Sequence, residues 1–183
     1  WPNDPDRRMR GFLFGAAAFA EGTRIASRHI NGAGVHNGAA VALSIAATAG
    51  ATLFGRRRRA LLAGEAMRVT VDDAPACEGR HFVTLATTLD RLVLGLTPFW
   101  GEGQGALRWL DVPAPPARLM AALGPVLRGR PSPWMIDAGY ASGRANRIRV
   151  ETNQPFVVDG EMFEPGPTGI VLSSSPPMGF VAP

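Results

Sequence analysis

The chain has 183 residues, 46% of them apolar, which supports a packed core and excludes wholesale disorder. Its formal net charge is +4 and all nineteen basic residues are arginine, so a Walker-type phosphate lysine is excluded. The single cysteine, Cys77, excludes internal disulfides and cysteine-cluster metal sites and suits a reducing compartment.

The charge is unevenly placed. Residues 1–59 carry nine arginines against Asp4, Asp6 and Glu21, whereas residues 60–183 are slightly acidic. No basic-then-apolar leader follows Trp1, so a secretory signal is not expected. Phe19, Gly22, Ala26 and Ile30 share one face at helical spacing, and Asn31-Gly32 with Gly34 ends that helix. Residues 37–55 lack charge, with Val41, Ile45 and Ala49 at i+4 steps. The apolar stretch from Ala39 to Phe54 spans only about 24 Å as a helix, short of a bilayer core of about 30 Å. It reads as a buried helix. The Arg56–Arg59 run then reads as the solvated C-terminus of that helix, where the macrodipole favours cations.

Beyond Arg59 the period changes to two. Val69 and Val71, then Phe82 and Leu85, predict strands around a turn at Gly79. Pro115-Pro116 opens a helix to Leu127, with Leu119, Ala122, Leu123 and Val126 as its apolar stripe. Arg147 to Thr152 alternates as a half-solvated strand. Pro155 to Phe163 is a hairpin, because Asp159-Gly160 supplies the positive φ angles of a two-residue turn. Ile170-Val171-Leu172 is a further short strand. The fold class is therefore α+β: mainly an antiparallel β-sandwich or flattened barrel, with an N-terminal helical lead-in (1–62) packed on a sheet unit (63–183) and one inserted helix.

Catalytic signatures are sparse. His29, His36 and His81 form no paired ligand motif and read as structural. Gly139-Tyr140-Ala141-Ser142-Gly143 lacks the spacing of a nucleophile elbow. Gly101-Glu102-Gly103-Gln104-Gly105 places glycine at every second position and reads as a flexible loop. Cys77 stands beside Glu78 and near Asp72 and Asp73, which disfavours a thiolate. No aromatics interleave with the arginine run, so nucleic acid is not an expected partner.

Four segments, taken in order, resemble the C-terminal half of the diacylglycerol kinase and sphingosine kinase-like lipid kinases. They are Arg68-Val69-Thr70-Val71-Asp72-Asp73 with Phe82-Val83-Thr84-Leu85-Ala86; Pro98 followed by Gly105-Ala106-Leu107-Arg108; the helix after Pro116 ending in Arg128-Gly129; and Arg147-Ile148-Arg149-Val150 leading to Val158-Asp159-Gly160-Glu161. The resemblance covers about two-thirds of the chain, and residues 12–62 fit the family's lead-in helices more loosely.

The resemblance implies a two-domain, ATP- and Mg²⁺-dependent kinase. Its N-terminal domain would bind nucleotide through a Gly-Gly-Asp-Gly-Thr loop, and this chain, which has no such loop, would be the lipid-binding half. The chain alone is then expected to need no cofactor and to be inactive. Gln104-Gly105 stands where the family carries an Asp-Gly whose aspartate takes the lipid hydroxyl proton, and an amide cannot be that base. Glu102, two residues earlier, is a substitute acid. Ala86 and Thr87 stand where the family has an asparagine. Asp159, Gly160 and Glu161 would face the nucleotide or metal side of the cleft. Arg56, Arg57, Arg58 and Arg59 would meet an anionic membrane, giving a cytoplasmic protein peripheral at the bilayer. The alternative is a non-catalytic sandwich that binds an apolar ligand or a protein. A third class is an arginine-dependent membrane-surface or nucleic-acid adaptor.

Overall fold

A computed structural model describes residues 8–30, 58–92 and 95–175. The uncharged segment at 37–55, Arg56 and Arg57 lie outside the described residues. The elements run β1 (Leu13–Ala17), α1 (Ala18–Ile30), α2 (Arg58–Ala63), β2 (Glu65–Val71), β3 (Cys77–Thr87), β4 (Leu107–Pro113), α3 (Leu119–Leu127), α4 (Pro133–Asp137), β5 (Ala141–Ala145), β6 (Arg147–Glu151), β7 (Phe156–Val158), β8 (Glu161–Phe163) and β9 (Ile170–Ser173). All pairings are antiparallel and join the described strands into one curled sheet.

β3 organises this sheet. It pairs with β2 through residues 77–81, with β1 through 83–87 and with β4 through 81–87. From there one arm continues to β7 and β8, one to β6 and β9, and one to β5. The inner face buries Phe14, Met67, Val69, Ala86, Leu107, Ala145, Ile148, Val150 and Phe156 as one core. The outer face of β3 and β4 carries Leu85, Leu110 and Val112, covered by Ala122 of α3 and Met135 of α4. Phe19 of α1 packs on the same outer cluster. A Cβ on Gly15 would overlap its ring, so β1 accepts α1 only because Gly15 has no side chain.

An irregularity in β3 explains its two-faced pattern. Register shifts between His81 and Val83, so Phe82 is the extra residue of a β-bulge. The bulge turns Phe82 and Val83 together toward the outer cluster. It equally returns His81 and Thr84, three residues apart, to one face.

Several expected elements are present. The strand over 147–152, the Asp-Gly hairpin and the 170–172 strand all form. Asp159 and Gly160 take φ 50° and 89°, as a two-residue turn requires. The helix expected from Pro116 begins at Leu119, because Arg118 holds φ 45°.

Other expectations change. Gly79 lies within β3; the turn falls earlier, at Asp72 (φ 48°), where the amide of Ala74 donates to the carbonyl of Val71. The region expected to be helical contains β1, a strand between β3 and β7. Its Ala and Gly content hides it, since β1 has few of the branched residues that mark strands. Arg58 and Arg59 are exposed residues of α2, and the helix that the arginine run is expected to close lies outside the described residues. Among the described residues no helix is long and apolar enough to cross a membrane.

Candidate functional site

Three of the segments read from the sequence converge on one end of the sheet. Arg108 at the start of β4 is in register with Thr87 at the end of β3, and Thr87 with Leu13 at the start of β1. The next residue, Phe14, is in register with Val158 at the end of β7, immediately before the Asp159-Gly160 turn. The rim from the start of β4, just after the Gln104 loop, to the hairpin therefore crosses three strand spacings, about 14 Å.

The loop at the first end of this rim is held by its glycines. A Cβ at Gly101, Gly103 or Gly105 would strike the carbonyl oxygen of Ser142, Arg144 or Ala145, so the loop lies flush along β5. Their φ values of 82°, 142° and 110° are backbone conformations that favour glycine. Ser142 adds a tie, its Oγ accepting from the Trp100 amide at 3.0 Å and donating to the Trp109 carbonyl at 2.5 Å. Glu102 and Gln104, set between the glycines, are exposed. The alternating glycines that suggest flexibility in the sequence are thus contact points.

At the other end, Asp159 is committed to the backbone. Its carboxylate accepts the amides of Phe12 (3.0 Å) and Leu13 (2.8 Å), while its own amide donates to the Leu13 carbonyl at 2.9 Å. Thr87 holds the same turn of chain, donating to the Phe12 carbonyl at 2.6 Å and accepting from the Leu89 amide at 3.0 Å. Glu161 is exposed. The Asp159 carboxylate is exposed and accepts two backbone amides, and the exposed Glu161 follows it two residues later. Among the described residues no hydrogen bond or ion pair joins the Gln104 loop to the hairpin.

A second polar cluster lies farther along β3, roughly 20 Å from this rim at strand spacing. His81, only 2% exposed, places Nδ1 at 2.9 Å from both carboxylate oxygens of Asp111, and Thr84 donates its hydroxyl to Asp111 at 2.6 Å. Burial is the largest single influence and opposes charge on His81, but the Asp111 carboxylate and nearby backbone carbonyls together leave the imidazole pKa raised. Those carbonyls belong to Met67 and Cys77, yet Nε2 makes no hydrogen bond of good geometry. Cys77 is exposed, and its thiol pKa is pushed up by partial burial and by Asp111. The sequence presents Cys77 and His81 as separate residues. Their four-residue spacing within one strand is the signal that could pair them; Asp111 comes from another strand and leaves none.

No family model matches the sequence, and no curated protein matches it. Solved structures similar to the chain include a protein of Bacillus anthracis str. Sterne assigned provisionally as a diacylglycerol kinase. It is 11% identical with a TM-score of 0.48, and the match covers 88% of this chain and 49% of that one. A second, a diacylglycerol kinase from the same organism, is 10% identical with a TM-score of 0.43, covering 90% of this chain and 49% of its own. The chain spans about half the length of each.

Proposed function

We propose that the chain is the lipid-binding half of a diacylglycerol kinase-like phosphotransferase, with ATP and Mg²⁺ held by an N-terminal nucleotide-binding half. The observation that supports it is the shared rim. Gln104-Gly105, Thr87 and the Asp159-Gly160-Glu161 turn are scattered over the sequence, yet they open on one end of one sheet. Phosphoryl transfer depends mostly on positioning and charge neutralisation, so a rim facing a second domain suits a composite site. Gln104 would orient the attacking hydroxyl by hydrogen bonding, Glu102 would be the nearby carboxylate, and Glu161 would face the nucleotide side. Asp159 would shape the rim by anchoring Phe12 and Leu13. The arginine run from Arg56 to Arg59 would bring the protein to an anionic, cytoplasmic bilayer surface.

The test is transfer of radiolabelled phosphate from ATP to diacylglycerol in mixed micelles by the full-length protein carrying this chain. Slow transfer is expected, with Gln104→Asp raising it, since general-base catalysis contributes typically 10²–10⁴ in rate. The 183-residue chain alone is expected to transfer none. Loss of a robust activity in Glu102→Gln, with no effect of Gln104→Asp, would move the base to Glu102. Absence of transfer by both the parent and Gln104→Asp would overturn the kinase reading.

One observation favours a second reading, a non-catalytic module that binds an apolar ligand or a protein. The two rim positions that would carry acidic chemistry hold an amide, Gln104, and a carboxylate already engaged by backbone amides, Asp159. Binding of diacylglycerol-containing vesicles without any transfer would support it.

A further inference from the structure

The geometry points to Cys77, His81 and Asp111 as a three-ligand site for a borderline divalent metal ion, with Zn²⁺ the best match. A thiol sulfur, an imidazole nitrogen and a carboxylate oxygen from these residues lie within 4.8 Å of one another. Tetrahedral zinc, with bonds of about 2.0–2.3 Å, sets its donors about 3.3–3.8 Å apart, so modest side-chain rotation closes the set. This mixture of soft sulfur, imidazole and one carboxylate suits zinc better than Mg²⁺ or Ca²⁺, which prefer all-oxygen shells.

Three further features support the assignment. The first is Nε2 of His81, on a residue 2% exposed, which makes no hydrogen bond of good geometry although the carbonyls of Met67 and Cys77 act on the ring. The second is the support around Asp111. Thr84 donates to it at 2.6 Å and would hold the carboxylate in place, as outer-shell donors do for metal ligands. The third is access. Cys77 is exposed while His81 and Asp111 are buried, so an ion could enter from the Cys77 side and keep a fourth position for water. The bulge at Phe82 makes the constellation possible, because it turns His81 and Thr84 to the face that Asp111 also occupies. Binding would release the Cys77 proton, and the second proton of any charged imidazole, to solvent; either Nε2 ligates while Nδ1–H keeps its contact with Asp111, or Nδ1 ligates and the ring proton sits on Nε2.

The experiment is titration of chelator-treated 183-residue protein with Co²⁺ and then Zn²⁺. One equivalent of Co²⁺ is expected to produce the visible bands of a tetrahedral ion and a near-ultraviolet thiolate charge-transfer band, both displaced by Zn²⁺. Cys77→Ser should abolish the charge-transfer band and weaken Zn²⁺ binding at least tenfold, while leaving the melting temperature of metal-free protein unchanged because Cys77 is exposed. Thr84→Val should weaken Zn²⁺ binding about tenfold with the charge-transfer band retained. Zinc should raise the melting temperature of the parent but not of Cys77→Ser. The assignment is overturned if Co²⁺ produces no thiolate band, or if Cys77→Ser binds Zn²⁺ as tightly as the parent; either result leaves His81 and Asp111 as a structural hydrogen-bonded pair.

Discussion

Glu65 is the residue whose chemistry conflicts most with its place. It opens β2, half-buried, with Oε2 enclosed and without a hydrogen-bond partner. Burial, and then the nearby Glu21, raise its pKa, while Arg80 partly opposes them. For an acid raised in the folded state, the native protein holds the proton more tightly than the unfolded chain. Stability is then greatest below the unfolded pKa, about 4.3, and declines as pH rises through the higher folded value. Glu65→Gln should therefore stabilise the protein at neutral pH and flatten this decline, which melting curves across pH 4–8 would reveal. An unchanged pH profile would mean that Glu65 is solvated. Asp159 is the contrasting case, a carboxylate satisfied by two amides. Asp159→Ala should cost about 1–3 kcal/mol in urea unfolding, from the orphaned donors and a residue less tolerant of φ 50°. Asp159→Asn, which keeps an acceptor and tolerates that conformation, should recover much of the loss.

At the scale of elements, glycines separate positions that need no side chain from positions that merely lack one. Gly22 lies in α1 with nothing within 4 Å of the place a Cβ would take, and helix propensity favours alanine by about 1 kcal/mol. Gly22→Ala should raise the unfolding midpoint. Gly105→Ala, at φ 110° and facing the backbone of Ala145 and Asn146, should lower it and loosen the loop that carries Gln104. Faster amide exchange confined to residues 101–106 would identify the loop as the part affected. If both substitutions shift stability equally, the flush contact with β5 contributes little. The hairpin is readable because an Asp-Gly turn is a local signal, whereas the loop's role depends on β5, about forty residues away. The same distinction explains why β4, β5 and α4 leave little trace in the sequence. β5, Ala-Ser-Gly-Arg-Ala, carries almost no strand propensity and forms because β4 supplies its partner.

At the scale of the whole molecule, the curled sheet separates two places where chemistry could occur, the rim with Gln104 and Glu161 and the buried cluster around His81. The first would serve a partner domain and the second a bound ion. Membrane attachment forms a third, separate question. Arg58 and Arg59 are exposed residues of α2. Each arginine near an anionic surface contributes about 1 kcal/mol of attraction. Replacing Arg56, Arg57, Arg58 and Arg59 with Gln should reduce sedimentation with phosphatidylserine vesicles at least a hundredfold at low salt and remove its salt dependence. Unchanged binding would assign the run to solvation alone.

The sequence by itself determined the α+β class, the Asp-Gly hairpin, the strand at 147–152 and the inserted helix, because each depends on periodicity or turn chemistry within about a dozen residues. It also marked Glu102, Gln104 and Asp159-Gly160-Glu161 as residues of interest. Only the tertiary structure decided how they are used. Pairing of β1 between β3 and β7 brought Asp159 onto the amides of Phe12 and Leu13. One bulge at Phe82 reset the faces of β3 and joined His81 and Thr84 to an aspartate on β4. Those outcomes depend on register between strands distant in sequence, and a strand's register is set by what it packs against rather than by its own residues alone.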